Sequence, residues 1–464
     1  MSVNKQAVEA EISAIGGEET LSRAQIRGRI FSLAGPAIAE SLLVHLVSMV
    51  DMMMVGGLGA YAITSIGLSN QAVFTANAVF SAISTGSTAV VARLVGAKDL
   101  TEANRAARQS FVMAAIAAMI LGLGVVLFAP NIIHFMKAEE DVLPHALAYA
   151  RIAGGSMVFS LTAMILNGVL RGAGDMKTPM RVNITANLIN VVFNYLLIYG
   201  VGPFPRLEVA GAAWATLLSR VVALIMVLRV FFGGKFIIHF SLRDSFKPEW
   251  PMLKRILNVG IPASIEHLIM RMGMMLYART VSGLGTVAYA AHQISLNSEG
   301  ITFTPGMGFS MASTTLVGQS LGAKRPERAS QFGLEARRLA MISMGLLGLV
   351  LFFFPRQLIG LYTDDPEVIE MGVICLRIIA FAQPIMGSTF VLTGSLRGAG
   401  DTRFVMLITL FGVWVGRLGM AYLLVEVFQL GLRGAWYAMV FDQAIRATFG
   451  YLRWRHGGWK TARV

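Results

Sequence analysis

The chain has 464 residues, of which 55% are hydrophobic and only 14% charged, and it carries a formal net charge of +13. A soluble domain of average composition has nearly twice that charged fraction, so the balance points to a membrane protein. The single cysteine, Cys375, excludes a disulfide framework and any cysteine-based metal cluster.

Residues 1–28 are polar and mixed in charge, without an apolar signal-peptide core, and are expected to be a cytoplasmic N-terminal segment. Apolar stretches of about 20 residues follow, long enough to cross a bilayer core as helices. The pattern predicts spans at 30–56, 62–92, 108–130, 146–170, 181–202 and 208–232, forming an N-terminal bundle over 29–232. Residues 233–251, with Gly233-Gly234, Pro248 and Pro251, read as a cytoplasmic linker. Six further spans, at 252–280, 286–316, 332–354, 367–395, 403–425 and 430–452, form a C-terminal bundle over 252–452, and 453–464 is a cytoplasmic tail. The expected fold is therefore an all-α polytopic membrane protein with twelve transmembrane helices in two six-helix bundles.

The two bundles repeat one another. Leu170-Arg171-Gly172-Ala173-Gly174-Asp175 returns as Leu396-Arg397-Gly398-Ala399-Gly400-Asp401, an offset of 226. The same offset carries Pro36 onto Pro262, Glu40 onto Glu266, Gly57-Leu58-Gly59 onto Gly283-Leu284-Gly285, and Gly96-Ala97-Lys98 onto Gly322-Ala323-Lys324. A repeat of six spans enters the membrane from the same side both times. The halves are thus parallel, pseudo-symmetric repeats about an axis along the membrane normal, an arrangement that suits a transporter. In the Arg-Gly-Ala-Gly-Asp turns, glycine permits the tight turn and Asp caps the next helix. The other reading of these turns is a hinge or gate.

The charge distribution fixes the topology. Of the 39 Lys and Arg, the outer loops hold only Lys137, Arg206, Arg356 and Arg433. This positive-inside pattern places both termini in the cytoplasm of a multi-pass protein of the cell (inner) membrane. The basic loops set topology and touch anionic membrane lipids, without any nucleic-acid recognition motif. The seven His never reach ligand spacing with Cys or acids, so no metal and no cofactor are expected. No Ser/His/Asp arrangement or nucleotide loop lies in the spans, so the chain is not expected to be an enzyme. No obligatory protein partner is evident.

Several signatures together resemble the multidrug and toxic compound extrusion (MATE) family. They are Val50-Asp51 before Val55-Gly56, Gly283-Leu284-Gly285 followed by Ala290-Ala291-His292-Gln293-Ile294, Val317-Gly318-Gln319-Ser320-Leu321-Gly322-Ala323, and the paired Leu-Arg-Gly-Ala-Gly-Asp turns. The match runs from about residue 28 to 452. The resemblance implies two six-helix bundles in a V, and efflux of cationic or amphipathic drugs driven by H⁺, with Na⁺ as the alternative coupling ion. Its details look closer to the DinF-like branch than to the NorM-like one, whose acidic positions in spans 7 and 10 are here Met270 and Met386. A flippase for lipid-linked oligosaccharide, from the same superfamily, is a further alternative, kept by the intramembrane arginines.

Residues shared by the halves read as scaffold, and unshared polar residues as functional. Asp51 maps onto Tyr277, Asn167 onto Thr393, Asn190 onto Gly416 and Asn194 onto Met420. An ionisable group within a span is expensive, which makes Asp51 the coupling candidate. Asn190 and Asn194 are four apart and face the same way, able to hold a proton or ion near Asp51, and Thr216 adds an oxygen. The resemblance implies the same, since the family's first-bundle site uses the span-1 Asp and the Asn that Asn190 matches. A structural reading of these groups, as hydrogen bonds tying helices together, remains open. Glu40 and Glu266 are kept by both halves and are either secondary proton stations or gates, or paired helix-packing carboxylates. Pro36 and Pro262 are expected to kink the first helix of each bundle. Met53, Met270, Gln71, His292, Gln293 and Asn297 are candidates for the substrate cleft, methionine supplying adaptable apolar surface.

Overall fold

The computed structural model describes residues 21–135, 142–234, 236–241 and 243–462. Most of the N-terminal segment, Lys137 and the side chain of Gln71 lie outside the described set. All regular structure among the described residues is helical. In chain order the helices are α1 (Arg23–Gly56), α2 (Ala60–Gly96), α3 (Leu100–Phe135), α4 (Leu143–Gly172), α5 (Lys177–Tyr199), α6 (Glu208–Phe232), α7 (Trp250–Ser282), α8 (Thr286–Gly300) and α9 (Phe303–Gly322). They continue with α10 (Pro326–Phe353), the short α11 (Pro355–Gly360), α12 (Pro366–Ala399), α13 (Thr402–Phe411, running on through π-helical turns to Val427) and α14 (Gly431–His456).

Eight of these helices are long and apolar enough to cross a membrane. Three of the other expected spans fall short for reasons visible in their residues. Glu266, His267, Arg271 and Arg279 dilute α7, Arg433, Asp442 and Arg446 dilute α14, and the eighth span is divided into α8 and α9. That division departs from the single span expected over 286–316. Its cause is Pro305, which has no N–H to donate and whose ring opposes the carbonyl one turn back, so Ile301 and Thr302 leave the helix. Position 79, its repeat partner, is Val, and α2 is continuous from Ala60 to Gly96.

The described chain forms two compact units, residues 39–257 and residues 21–38 with 258–462. The divisions fall inside α1, just after Pro36, and inside α7, just before Pro262. Each unit rests on the same scaffold. In the first, α4 crosses α2 closely: Thr88 Oγ1 donates to the Gly168 carbonyl at 2.8 Å, and a Cβ at Gly172 would stand 2.6 Å from the Thr88 carbonyl oxygen. In the second, Thr314 Oγ1 donates to the Gly394 carbonyl at 2.9 Å, and a Cβ at Gly398 would stand 2.2 Å from the Thr314 oxygen. Glycine four residues apart lets each pair of backbones touch. Backbone signs repeat too: Gly59 and Gly285 have φ of 111° and 104°, and Lys98 and Lys324 have φ of 61° and 57°.

The connection between the halves is fastened to the first unit. Phe240 stacks on Phe231 at 4.7 Å, Arg108 pairs with Asp244 at 3.0 Å, and Gln109 donates to the Lys247 carbonyl at 2.8 Å. The backbone N–H of Ser241 donates to the Asp244 carboxylate at 2.8 Å, and this bond, before the Arg108 charge, holds that carboxyl below the usual aspartate range.

Candidate functional site

In the first unit α1, α5 and α6 bring four polar side chains together. Asn190 and Asn194 share a face of α5, one turn apart, and both are buried. Asp51 enters from α1, partly buried, and Thr216 from α6. Asn194 Nδ2 donates to Asp51 Oδ1 at 2.8 Å. The Asn190 amide can be turned either way about its terminal torsion, and the two orientations suit different states of the acid. With its nitrogen inward it donates to Asp51 Oδ2 at 3.0 Å and Oδ1 at 3.3 Å, as an ionised carboxylate requires. With its oxygen inward that oxygen faces Asp51 and accepts from Asn194 Nδ2 at 3.3 Å, while its nitrogen donates to Thr216 Oγ1 at 3.4 Å. Two facing oxygens need a hydrogen between them, so the second arrangement suits a protonated Asp51. The Arg220 guanidinium on α6 adds its field to Asp51.

The other candidates from the sequence sit elsewhere. Asn167 is buried on α4, its Oδ1 has no hydrogen-bond partner among the described residues, and no hydrogen bond joins it to Asp51. Glu40 accepts from Arg171 Nη2 at 2.7 Å and from Asn183 Nδ2 at 2.6 Å. Glu266 repeats this, accepting from Arg397 Nη2 at 2.7 Å and Thr409 Oγ1 at 3.1 Å. Both glutamates therefore bind the arginine of the repeated turn. Pro36 and Pro262 lie inside α1 and α7. Met53 is exposed, three-quarters of its surface being free, and Met270 is partly buried.

His292, Gln293 and Asn297, all candidates for the substrate cleft, do not share one environment. Gln293 and Asn297 are exposed, Gln293 donating to Tyr289 Oη at 2.8 Å. His292 is buried edge-on against Tyr277 and Trp436 at 5.7 Å from each ring. Adjacent helical residues point about 100° apart, which lets His292 face the interior while Gln293 faces out. Of Gln71 only the backbone is described.

Some participants escape a reading of the sequence. Asn183 and Thr409 hold the two glutamates, and the signal available is that both are polar at the 226 offset. The second unit also holds a buried ion cluster whose partners the sequence does not disclose. Arg417 and Arg446 both bind Asp442, at 2.8 Å each, and all three are buried. Glu299 and Gln383 meet nearby in the interior of the same unit. Among the described residues no group of three or more His, Cys, Asp or Glu forms a metal-ligand set.

A family profile described as MatE matches residues 36–196 and again 262–423. The two matches begin at Pro36 and Pro262, the pair related by the internal offset. A probable multidrug resistance protein NorM of Thermotoga maritima is 35% identical over 95% of this chain and 94% of its own. A solved structure described as the outward-facing conformation of a multidrug resistance MATE family transporter of the MOP superfamily superposes with a TM-score of 0.84 at 25% identity, over 95% of this chain and 98% of that one. A crystal structure described as MATE in the straight conformation shares the fold, with a TM-score of 0.88 at 24% identity, over 96% and 97%.

Proposed function

The chain belongs to the MatE family of multi-pass membrane transporters for multidrug efflux, and from that premise we propose that it exports cationic or amphipathic compounds in exchange for protons, with Asp51 as the coupling carboxylate. The observation that carries this reading is the acid–amide cluster. Asp51 is the one carboxylate among its four side chains, and its amide neighbours can hydrogen-bond it in either protonation state. A proton added to Asp51 removes one negative charge and turns the Asn190 amide over. A cationic drug favours the ionised state and a proton the neutral one, so the two ligands bias one equilibrium in opposite directions. Proton entry from outside then favours drug release there.

Asn194 donates to Asp51, Asn190 can turn its amide toward Asp51 or toward Thr216, and Asn167 is a buried amide outside that set. Met270 and Met386 stand where NorM-like members carry acids, which supports placing the chain nearer the DinF-like branch. The basic loops support an inner-membrane orientation with both termini in the cytoplasm. Exposed Met53, Met52 and Met275 offer adaptable apolar surface to ligand or lipid.

The test is ethidium export from proteoliposomes under a pH gradient or a Na⁺ gradient, imposed separately, for the wild type and Asp51→Asn. Export driven by the pH gradient alone and abolished by Asp51→Asn is the expected result. Export driven by Na⁺ makes the amide and hydroxyl oxygens ion ligands instead. A mutant that still exports under the pH gradient removes Asp51 from the coupling.

A further inference from the structure

We propose that the second unit contains its own proton-carrying site, formed by Glu299 with Gln383 as its hydrogen-bond partner. The proposal rests on the reading of the chain as a proton-coupled exporter, but it stands on different residues. Glu299 is fully buried on the last turn of α8, and Gln383 is fully buried on α12. Their single contact is Gln383 Nε2 to Glu299 Oε1 at 3.4 Å, at the long limit of a hydrogen bond. Glu299 Oε2 and Gln383 Oε1 are both buried without a hydrogen-bond partner among the described residues. A buried carboxylate normally accepts several short bonds, and this one has a single long bond. Adding one hydrogen removes the charge that these few bonds leave unsolvated. Turn the Gln383 amide over, and a protonated Glu299 donates to Gln383 Oε1 across the same gap.

The surroundings are built for a group that changes charge. Glu299 ends α8, where the helix dipole gathers negative partial charge and favours an added positive one. The backbone N–H and the hydroxyl of Thr302 both bind the Glu299 carbonyl, at 2.8 and 2.7 Å, so the chain break is stabilised at this residue. Discontinuous helices that end inside a bundle are where transporters place coupling ions. From α13 the Arg417 guanidinium acts on Glu299, and from α14 Asp442 and Arg446 complete the buried cluster. From α7 comes Tyr277, whose hydroxyl donates to the Ala435 carbonyl at 2.8 Å, and from α12 also Cys375. On α8 itself, His292 and Ser295 lie two turns and one turn before Glu299. Helix α9 has no charged residue, and Arg356 of α11 is exposed. With Asp442 bound between two arginines, this core has one excess positive charge when Glu299 is neutral and none when it is ionised. Glu299 therefore toggles the interior between those two totals. Protonation takes one H⁺ from water, forms one O–H bond and breaks no other covalent bond.

The site is absent from the first unit. Glu299 maps onto Val73, Gln383 onto Met157 and Pro305 onto Val79, so these residues are not part of the repeated scaffold. Scaffold pairs such as Glu40–Arg171 and Glu266–Arg397 occur twice.

Infrared difference spectra between high and low pH, on the full-length protein in liposomes, read buried carboxylic acids directly. Wild type should show a protonated-carboxyl band that Glu299→Gln removes and Asp51→Asn leaves in place. Gln383→Leu, which retains the carboxyl, should shift that band to higher frequency. Protons moved per ethidium should fall about twofold in Glu299→Gln, the loss of one of two carriers. A Glu299→Gln spectrum identical to wild type overturns the proposal, and so does an unshifted band in Gln383→Leu. Either result leaves the Asp51 reading standing, which fails separately if Asp51→Asn still exports under a pH gradient.

Discussion

Four positions of the repeat are used in opposite ways by the two units. Asp51, Asn190, Thr216 and Arg220 of the first unit map onto Tyr277, Gly416, Asp442 and Arg446 of the second. In the first the acid is on α1, partly buried, and its partners are neutral amides with a choice of hydrogen bonds. In the second the acid has moved to α14 and is clamped between Arg417 and Arg446. Gly416 makes room for it, since a Cβ there would stand 2.8 Å from Ile445 and 3.2 Å from the Asp442 backbone. The same scaffold thus places an amide-bound acid in one repeat and an arginine-bound acid in the other. Asp442 is bound by two guanidinium groups, whereas the hydrogen bonds to Asp51 come from neutral amides.

The contrast is broken most severely at its two acids. Asp51→Asn should reduce pH-driven export to background while leaving folding nearly unchanged, because Asn fills the same space among amides. Proteoliposome flux beside a thermal melt checks both halves of that statement. Asp442→Asn should do the reverse. It leaves two buried guanidinium groups without their counter-charge, a loss on the order of 3–5 kcal/mol, seen as a large drop in melting temperature. If Asp442→Asn melts like the wild type, the cluster is not holding the second unit together. If Asp51→Asn melts early, the first acid is structural and the contrast collapses.

Comparing the halves also shows what can be read from the sequence. The 226 offset locates the helices so well that α2 and the pair α8–α9 share their repeat-equivalent ends. It also separates Glu40 and Glu266 from Asp51, since a group kept twice is used twice. Asn190 and Asn194 are legible because helical spacing alone puts i and i+4 on one face. Glu299 meets Gln383 from a residue 84 positions away, and Arg417 meets Asp442 from 25 away. Such meetings depend on how helices rotate against one another, which periodicity does not specify. His292 parts from Gln293 and Asn297 for the same reason, because nothing local indicates which of two adjacent polar residues faces Tyr277 and Trp436. The helix break is carried by Pro305, a signal present in the sequence but obscured by the continuous apolar run around it.

The glycine crossings test whether the scaffold really is common to both units. Gly172→Ala and Gly398→Ala each drive a methyl group into a backbone oxygen of the neighbouring helix, and overpacking of this kind costs about 1–3 kcal/mol. The clash is closer at Gly398 than at Gly172, so its melting temperature should fall further. Equal or reversed effects would mean that the crossing in one unit relaxes where the other does not.

The smallest effect separates two identical turns. Asp175 is buried and accepts from the Thr178 backbone N–H at 2.9 Å, capping α5, while Asp401 accepts from Arg453 Nε at 2.8 Å. Burial, outweighing the hydrogen bonds from Thr178, lifts the Asp175 carboxyl above its ordinary value. A group raised in the folded state contributes stability that is complete below its unfolded pKa and is lost as pH rises through the folded value. Asn caps a helix as well as Asp does and carries no charge to bury. Asp175→Asn should therefore be neutral or slightly stabilising at neutral pH, by less than about 1 kcal/mol, and should flatten the melting temperature across the pH range just above about 4. Asp401→Asn removes a partly exposed ion pair and should lower stability by about 0–1 kcal/mol. Opposite signs at positions 226 residues apart would show that one sequence motif caps a helix in the first unit and ties down α14 in the second. Matching signs would return both turns to a single role.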